Sequence, residues 1–212
     1  MKKLFFLAFF LLSCILGNGQ DDKFSKAMLA NMEKAKSAYT SSDLQELSAN
    51  YERIALAEQT QWTAWYYAAY YYLAANYMET DVAKKKNYLD HAQNCVDEGV
   101  KLKPEESELL VLKVMILYGL MAVDQTIAME TYPKTVELLE QAKSLNPDNP
   151  RIYLTQAEAI YNMPVEFGGG KEKAKSTLQI AKEKFDKYTP ANILDPNWGK
   201  ERCEMLLGEC QK

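Results

Sequence analysis

Four groups of residues in this chain have types or spacings that could do chemistry. The first is Gly168-Gly169-Gly170-Lys171. Glycines ahead of a helical stretch can aim backbone amides at an anion, because a helix N-terminus favours negative charge. A phosphate-binding P-loop also needs a buried strand in front and Gly-x-x-x-x-Gly-Lys-Ser/Thr spacing. Here a helical pattern precedes the glycines and Glu172 follows Lys171. Pro164 stops one helix and the glycines supply a positive-φ turn that starts the next. The loop reads as a turn.

The second group is His91, the only histidine, with Cys95 one helical turn later. Residues at i and i+4 can face one metal ion, yet a zinc site takes three or four ligands, and no other His/Cys cluster completes this one. The same shortage argues against a Ser-His-Asp or Cys-His nucleophile. Neither a catalytic residue, a metal ligand nor a cofactor is predicted, and the chain reads as a non-enzyme. The third group is the thiols. Cys203 and Cys210 on one helix stand about 10.5 Å apart along its axis, beyond the roughly 7 Å that a disulfide spans between α-carbons. One of them could pair with Cys95 in an oxidising compartment. Buried, unpaired thiols are the preferred reading.

The fourth group is the segment QWTAWYYAAYYYLAANY, residues 61–77, with Trp62, Trp65 and six tyrosines. Aromatics on every side of a helix mean packing between neighbours, with Ala68, Ala69, Ala74 and Ala75 allowing close approach. Core packing is the first explanation, and a ligand surface can coexist with it.

These groups need elements to position them. Lys2 and Lys3, the apolar run Leu4 to Leu16 and the small residues Gly17-Asn18-Gly19 have the order of a secretory signal peptide, too short to span a bilayer. Residues 1–19 are therefore expected to be removed, leaving 20–212 as one domain working in the periplasm. Leu11-Leu12-Ser13-Cys14 offers a rival reading, a lipoprotein box acylated at Cys14, weakened by the large Leu12 and the apolar Ile15-Leu16. Loss of Lys2 and Lys3 leaves 23 basic against 29 acidic residues, a net charge of −6. An acidic chain without a basic block argues against nucleic acid or an anionic membrane as partner. No second apolar run is long enough to cross a membrane.

From Asp21 onward the periodicity is helical throughout, with no alternating strand pattern. A first helix carries Phe24, Met28, Met32 and Tyr39. A second opens on a capping box of Ser42 and Gln45. Others are expected at 61–78, 81–103, 106–122, 132–146, 150–162, 171–188 and 197–210, with Pro133 in a first turn and Asp195 or Asn197 capping the last. Pro104, Pro147 and Pro190 recur every 43 residues, each two residues after a helix-closing Leu102, Leu145 or Tyr188. A fixed period with two helices per unit predicts a solenoid of hairpins, each stabilising the next.

The residues then resemble the tetratricopeptide repeat (TPR) family, as exported by Gram-negative bacteria. Tyr153, Ala157, Ala174 and Ala181 match its pattern in the last full unit, Ala142, Leu145 and Pro147 in the preceding one, and Trp65, Ala69, Tyr72, Gly99, Leu102 and Pro104 in an earlier one. A period of 43 departs from the family's 34, and Phe185 stands where Gly99 and Ala142 stand in the other units. The resemblance implies an all-α, right-handed α-solenoid of about four helical hairpins plus a C-terminal capping helix. It further implies a concave groove lined by Tyr66, Tyr70 and Leu73, by Val111, Met115 and Tyr118, and by Leu154, Glu158 and Tyr161. Such an apolar, tyrosine-rich groove suits an extended peptide or an apolar ligand. The expected function is a non-catalytic scaffold in the periplasm that binds a protein partner; the alternative is a small-ligand-binding accessory of a solute transporter, since a similar inter-helix glycine loop occurs in extracytoplasmic TPR proteins of that kind.

Overall fold

A computed structural model describes residues 22–210. The leader, its cleavage site and Cys14 lie outside the described residues. Within them the chain is all-α, with nine α-helices and no strand. Helix α1 covers residues 22–35. It is followed by α2 (Ser41–Ala57), α3 (Trp62–Met78), α4 (Val82–Leu102), α5 (Ser107–Val123), α6 (Ala128–Leu145), α7 (Pro150–Asn162), α8 (Lys171–Lys187) and α9 (Lys200–Glu209).

Local chemistry sets the boundaries and corrects three expectations. The capping box of α2 is Thr40 with Asp43, not Ser42 with Gln45, because Asp43 returns a bond to the Thr40 amide while Thr40 Oγ1 accepts from the Asp43 amide. Gln45 instead accepts from the Tyr88 hydroxyl at 3.1 Å. Pro133 lies inside α6 rather than in its first turn. Asp124 accepts from the Thr126 amide and starts a 3-10 turn, Gln125–Ile127, that runs directly into α6 at Ala128. Pro133 therefore costs that helix one backbone bond. Finally, α9 starts on Gly199 at φ 103°, with no side-chain cap, and Asp195 serves the preceding loop by accepting from the Asn192 amide. Asn149 with Pro150, by contrast, opens α7 as a capped helix with proline in its first turn.

Neighbouring helices pack as hairpins, and α3 packs on α5 and α5 on α7. The 43-residue period appears directly in the contacts: Tyr88 bonds Gln45, Cys95 bonds Glu52, and Arg151 bonds Glu108, each pair 43 residues apart. Equivalent positions of successive units thus touch, as stacking requires. Alternate helices α3, α5 and α7 thus pack side by side, and α2, α4, α6 and α8 each pack against the helix that follows. Helix α3 is the hub. Its Ala64, Tyr66, Ala68, Ala69, Leu73 and Ala75 are all at most 1% exposed, as the run of aromatics and alanines requires of a helix packed on several sides.

Candidate functional site

The row of α3, α5 and α7 curls. Residues of α3 meet the stretch before α9, although α5 and α7 lie between in the chain: Tyr70 packs on Trp198 with ring centroids 5.0 Å apart and planes tilted 32°, and the Trp198 indole N–H donates to the Tyr66 hydroxyl at 2.7 Å. This curled side forms an inner face.

Of the nine residues expected to line a groove, the structure divides two sets. Tyr66, Leu73, Val111 and Leu154 are buried to 1% or less and serve the core. Tyr70, Met115, Tyr118, Glu158 and Tyr161 are half-buried. They are joined by groups that sequence reasoning did not select. Arg202 of α9 donates to Glu158 at 2.7 Å, Tyr161 donates to Glu209, and the Lys171 ammonium stands 3.7 Å from Glu209. Met205, 47% exposed, lies one turn from Arg202 and shares its face of α9. Tyr77 stands 59% exposed at the end of α3, near Glu158 and Arg202. Burial pushes Tyr70 up to about 12, against the pull of Arg151. At neutral pH Tyr70 is an uncharged phenol, so the face carries aromatic surface with hydroxyl tips beside the Glu158–Arg202 and Lys171–Glu209 pairs.

Residues 188–199, between α8 and α9, cross the end of the inner face where α3, α5 and α7 begin. The corresponding connections, 58–61, 103–106 and 146–149, have four residues each. The longer segment is held at several points. Tyr67 donates to the Asp195 carbonyl at 3.2 Å, Leu194 is 6% exposed within the main core, and Tyr188 donates to the Pro196 carbonyl at 2.8 Å. Arg151 is the anchor. Its side chain is fully buried, its Nε lies 2.8 and 2.9 Å from the two Glu108 carboxylate oxygens, and Nη1 donates to the Trp198 carbonyl at 3.2 Å. Its guanidinium also stands 4.5 Å from the Tyr188 ring centroid. Burial raises the Glu108 carboxyl, while the Arg151 charge is the main opposing influence. Asn149 donates to Ser107 at 3.0 Å alongside this pair. Sequence reasoning missed the anchor, although a signal was present: Glu108 and Arg151 differ by the repeat period and carry opposite charges.

The glycine loop is a turn. Gly168 and Gly170 have φ of 84° and 98°, and all three glycine amides are spent on carbonyls, Gly168 on Val165, Gly169 on Pro164 and Gly170 on Ile160, at 2.8–3.1 Å. Gly169 has a different requirement from its neighbours: a Cβ there would meet the Met163 carbonyl oxygen at 2.2 Å. His91 lies on α4, stacked on Tyr72 with its Nδ1 3.9 Å from Glu52. Among the described residues no group of three or more His, Cys, Asp or Glu is arranged to hold a metal ion. Each thiol has its own partner: Cys95 donates to Glu52, Cys203 to the Leu178 carbonyl and Cys210 to the Lys171 carbonyl. No described helix is long and apolar enough to cross a membrane.

No protein-family model matches the chain. No curated protein matches it either. Among solved structures, the chain is similar to one described as the HusA haemophore from Porphyromonas gingivalis, at 25% sequence identity and a TM-score of 0.77, over 89% of this chain and 92% of that one.

Proposed function

We propose that this chain is an exported, non-enzymatic carrier that binds a compact, planar, apolar ligand of the porphyrin class on the inner face of a TPR-like array. The observation that carries the reading is the likeness of nearly the whole chain to a protein described as a haemophore. The inner face supports it chemically. Tyr70, Tyr118 and Tyr161 with Met115 offer aromatic and thioether surface that packs on the core but is not fully covered by it, and the exposed Met205 adds a second thioether. Ligand sites of this kind pair mostly apolar walls with a few polar groups, and phenols and thioethers are both known ligands of haem iron. The sole histidine is remote from this face, so a carrier built on it would rely on stacking, a phenol or a thioether.

The protein-scaffold alternative asks for a groove open along its length. Residues 188–199 lie across one end of the inner face and over Tyr66 and Tyr67, so an extended peptide would have to displace packed, hydrogen-bonded chain. A compact ligand does not. The test is a titration of the mature protein with hemin, followed by native mass spectrometry. The reading expects a saturable change in the hemin absorption band and one hemin per chain, both weakened by Tyr70→Ala and Tyr118→Ala. An unchanged hemin spectrum, with a protein partner captured through the same tyrosines, would replace it with the scaffold.

A further inference from the structure

We propose that the 188–199 connection is a working part of the binding face, and that Trp198 forms with Tyr70 an aromatic platform on which a planar ligand stacks. The proposal rests on the porphyrin reading above and adds the residue that sequence reasoning assigned to a capping helix.

Three observations converge on it. First, the connection is three times as long as each of its three counterparts, and although its middle, 191–193, is exposed, its second half turns back into the protein. Pro196 and Leu194 are buried, and the chain is tied to α3 and α7 through Tyr66, Tyr67 and Arg151. Second, the polar requirement of Trp198 is met inside the protein: its indole N–H donates to Tyr66 and its carbonyl accepts from Arg151. The indole ring is half-buried, tilted 32° against a half-buried Tyr70 ring and with the Arg151 guanidinium 5.7 Å from its centroid, so what it presents to a ligand is the part of the ring these two leave uncovered. Third, Gly199 makes the position possible. Its φ of 103° turns the chain into α9, and a Cβ would stand 2.8 Å from Phe185 and 2.9 Å from Leu154. The indole is thereby fixed on the inner face just before the helix begins.

The consequence is a blind end. Ligand would approach from the opposite end, where α3 and α7 finish at Tyr77 and Tyr161, and its flat face would come to rest on Trp198 and Tyr70. A surface of this form favours a planar ring over an extended chain, and it does so by stacking rather than by iron coordination.

The test compares wild type, Trp198→Ala, Trp198→Phe and Tyr67→Phe, using hemin and metal-free protoporphyrin as probes, with a thermal melt of each protein. Tyr67→Phe removes the bond to the Asp195 carbonyl and loosens the same segment without touching the indole. The proposal expects Trp198→Ala to weaken both probes by about threefold to tenfold, the range of an aromatic stacking contact. Trp198→Phe should retain most of the affinity, and Tyr67→Phe, which frees the segment but keeps the indole, should weaken binding less than Trp198→Ala does. If Trp198→Ala fails to fold, Trp198→Leu, apolar but without an aromatic face, should show the same weakening. Weakening by Tyr67→Phe as large as that by Trp198→Ala or Trp198→Leu, or a loss confined to hemin, overturns the platform while the carrier reading survives. A wild type that takes up neither probe overturns both.

Discussion

Replacing Arg151 by methionine should be the most damaging single change at the blind end of the inner face. The substitution keeps much of the side-chain volume and removes the charge facing Glu108, which is itself only 6% exposed. Breaking a buried ion pair from one side costs about 3–5 kcal/mol, because the remaining charge stays desolvated and unpaired. At about 2–4 °C per kcal/mol for a chain of this size, the melting temperature should fall by roughly 6–20 °C. The double variant Arg151→Met with Glu108→Met should recover most of that loss, since a well-packed apolar pair is often as stable as the ions it replaces. The pH dependence has a definite sign. With the guanidinium gone, burial remains the largest influence on the Glu108 carboxyl, with the Glu106 charge adding to it and the Tyr66 hydroxyl opposing, and holds its folded-state value above the unfolded one. A raised carboxyl binds its proton more tightly when folded, so stability is fully present below the unfolded value and is lost as pH rises through the folded value. The single variant should therefore be closer to wild type at pH 5 than at pH 8 in thermal melts read by circular dichroism. A double variant no more stable than the single one, or a single variant whose deficit grows on acidification, would refute the reasoning.

The glycine turn makes a second prediction. Gly169→Ala should destabilise the protein by about 1–3 kcal/mol, an overpacking cost, because the added methyl meets the fixed Met163 carbonyl. Inorganic phosphate should leave the wild-type melting temperature unchanged, since the loop amides are already occupied; a saturable rise would make the loop an anion site. The thiols should differ in native protein at pH 8. Cys203 is pushed up to about 11 by burial and then by Glu204, and Cys95 is raised further by burial and Glu52, so an aromatic disulfide reagent should modify half-buried Cys210 first and the other two only on unfolding. A tryptic map of unreduced protein should show no Cys203–Cys210 link. At α2, Thr40→Ala should cost about 1 kcal/mol in a denaturant melt, while Ser42→Ala should cost little.

Much of the helix order could be read because each helix carries its own periodicity and because the prolines punctuate the repeat. The 43-residue spacing also runs through the contacts between units, as Gln45 with Tyr88 and Glu108 with Arg151 show, although sequence reasoning used it only to place helices and named neither pair. Boundaries failed where a tertiary or neighbouring contact outranked the local signal. Pro133 is absorbed into α6 because a 3-10 turn starts the helix early, and Trp198 is drawn out of α9 by its bonds to Tyr66 and Arg151. For the binding face, spacing alone selected helices but not depth. Tyr66 and Tyr70 lie four residues apart on the same helix face, yet only Tyr66 is fully buried. A contact between residues 66 and 198 has no local signature in either segment, which is why the blind end of the face was invisible in the sequence.

The central claim is that a planar apolar ligand sits on the inner face. The most direct measurement is an NMR titration of protein carrying isotope-labelled methionine methyl groups with paramagnetic hemin. Met115 and Met205 are on or beside that face, Met28 is fully buried among α1 and its neighbours, and Met129 is 93% exposed at the start of α6. The account predicts that the Met115 and Met205 resonances broaden or shift in proportion to added hemin up to one equivalent, while Met28 and Met129 stay sharp. Broadening centred on Met129, or uniform loss of all methyl signals without saturation, would contradict it.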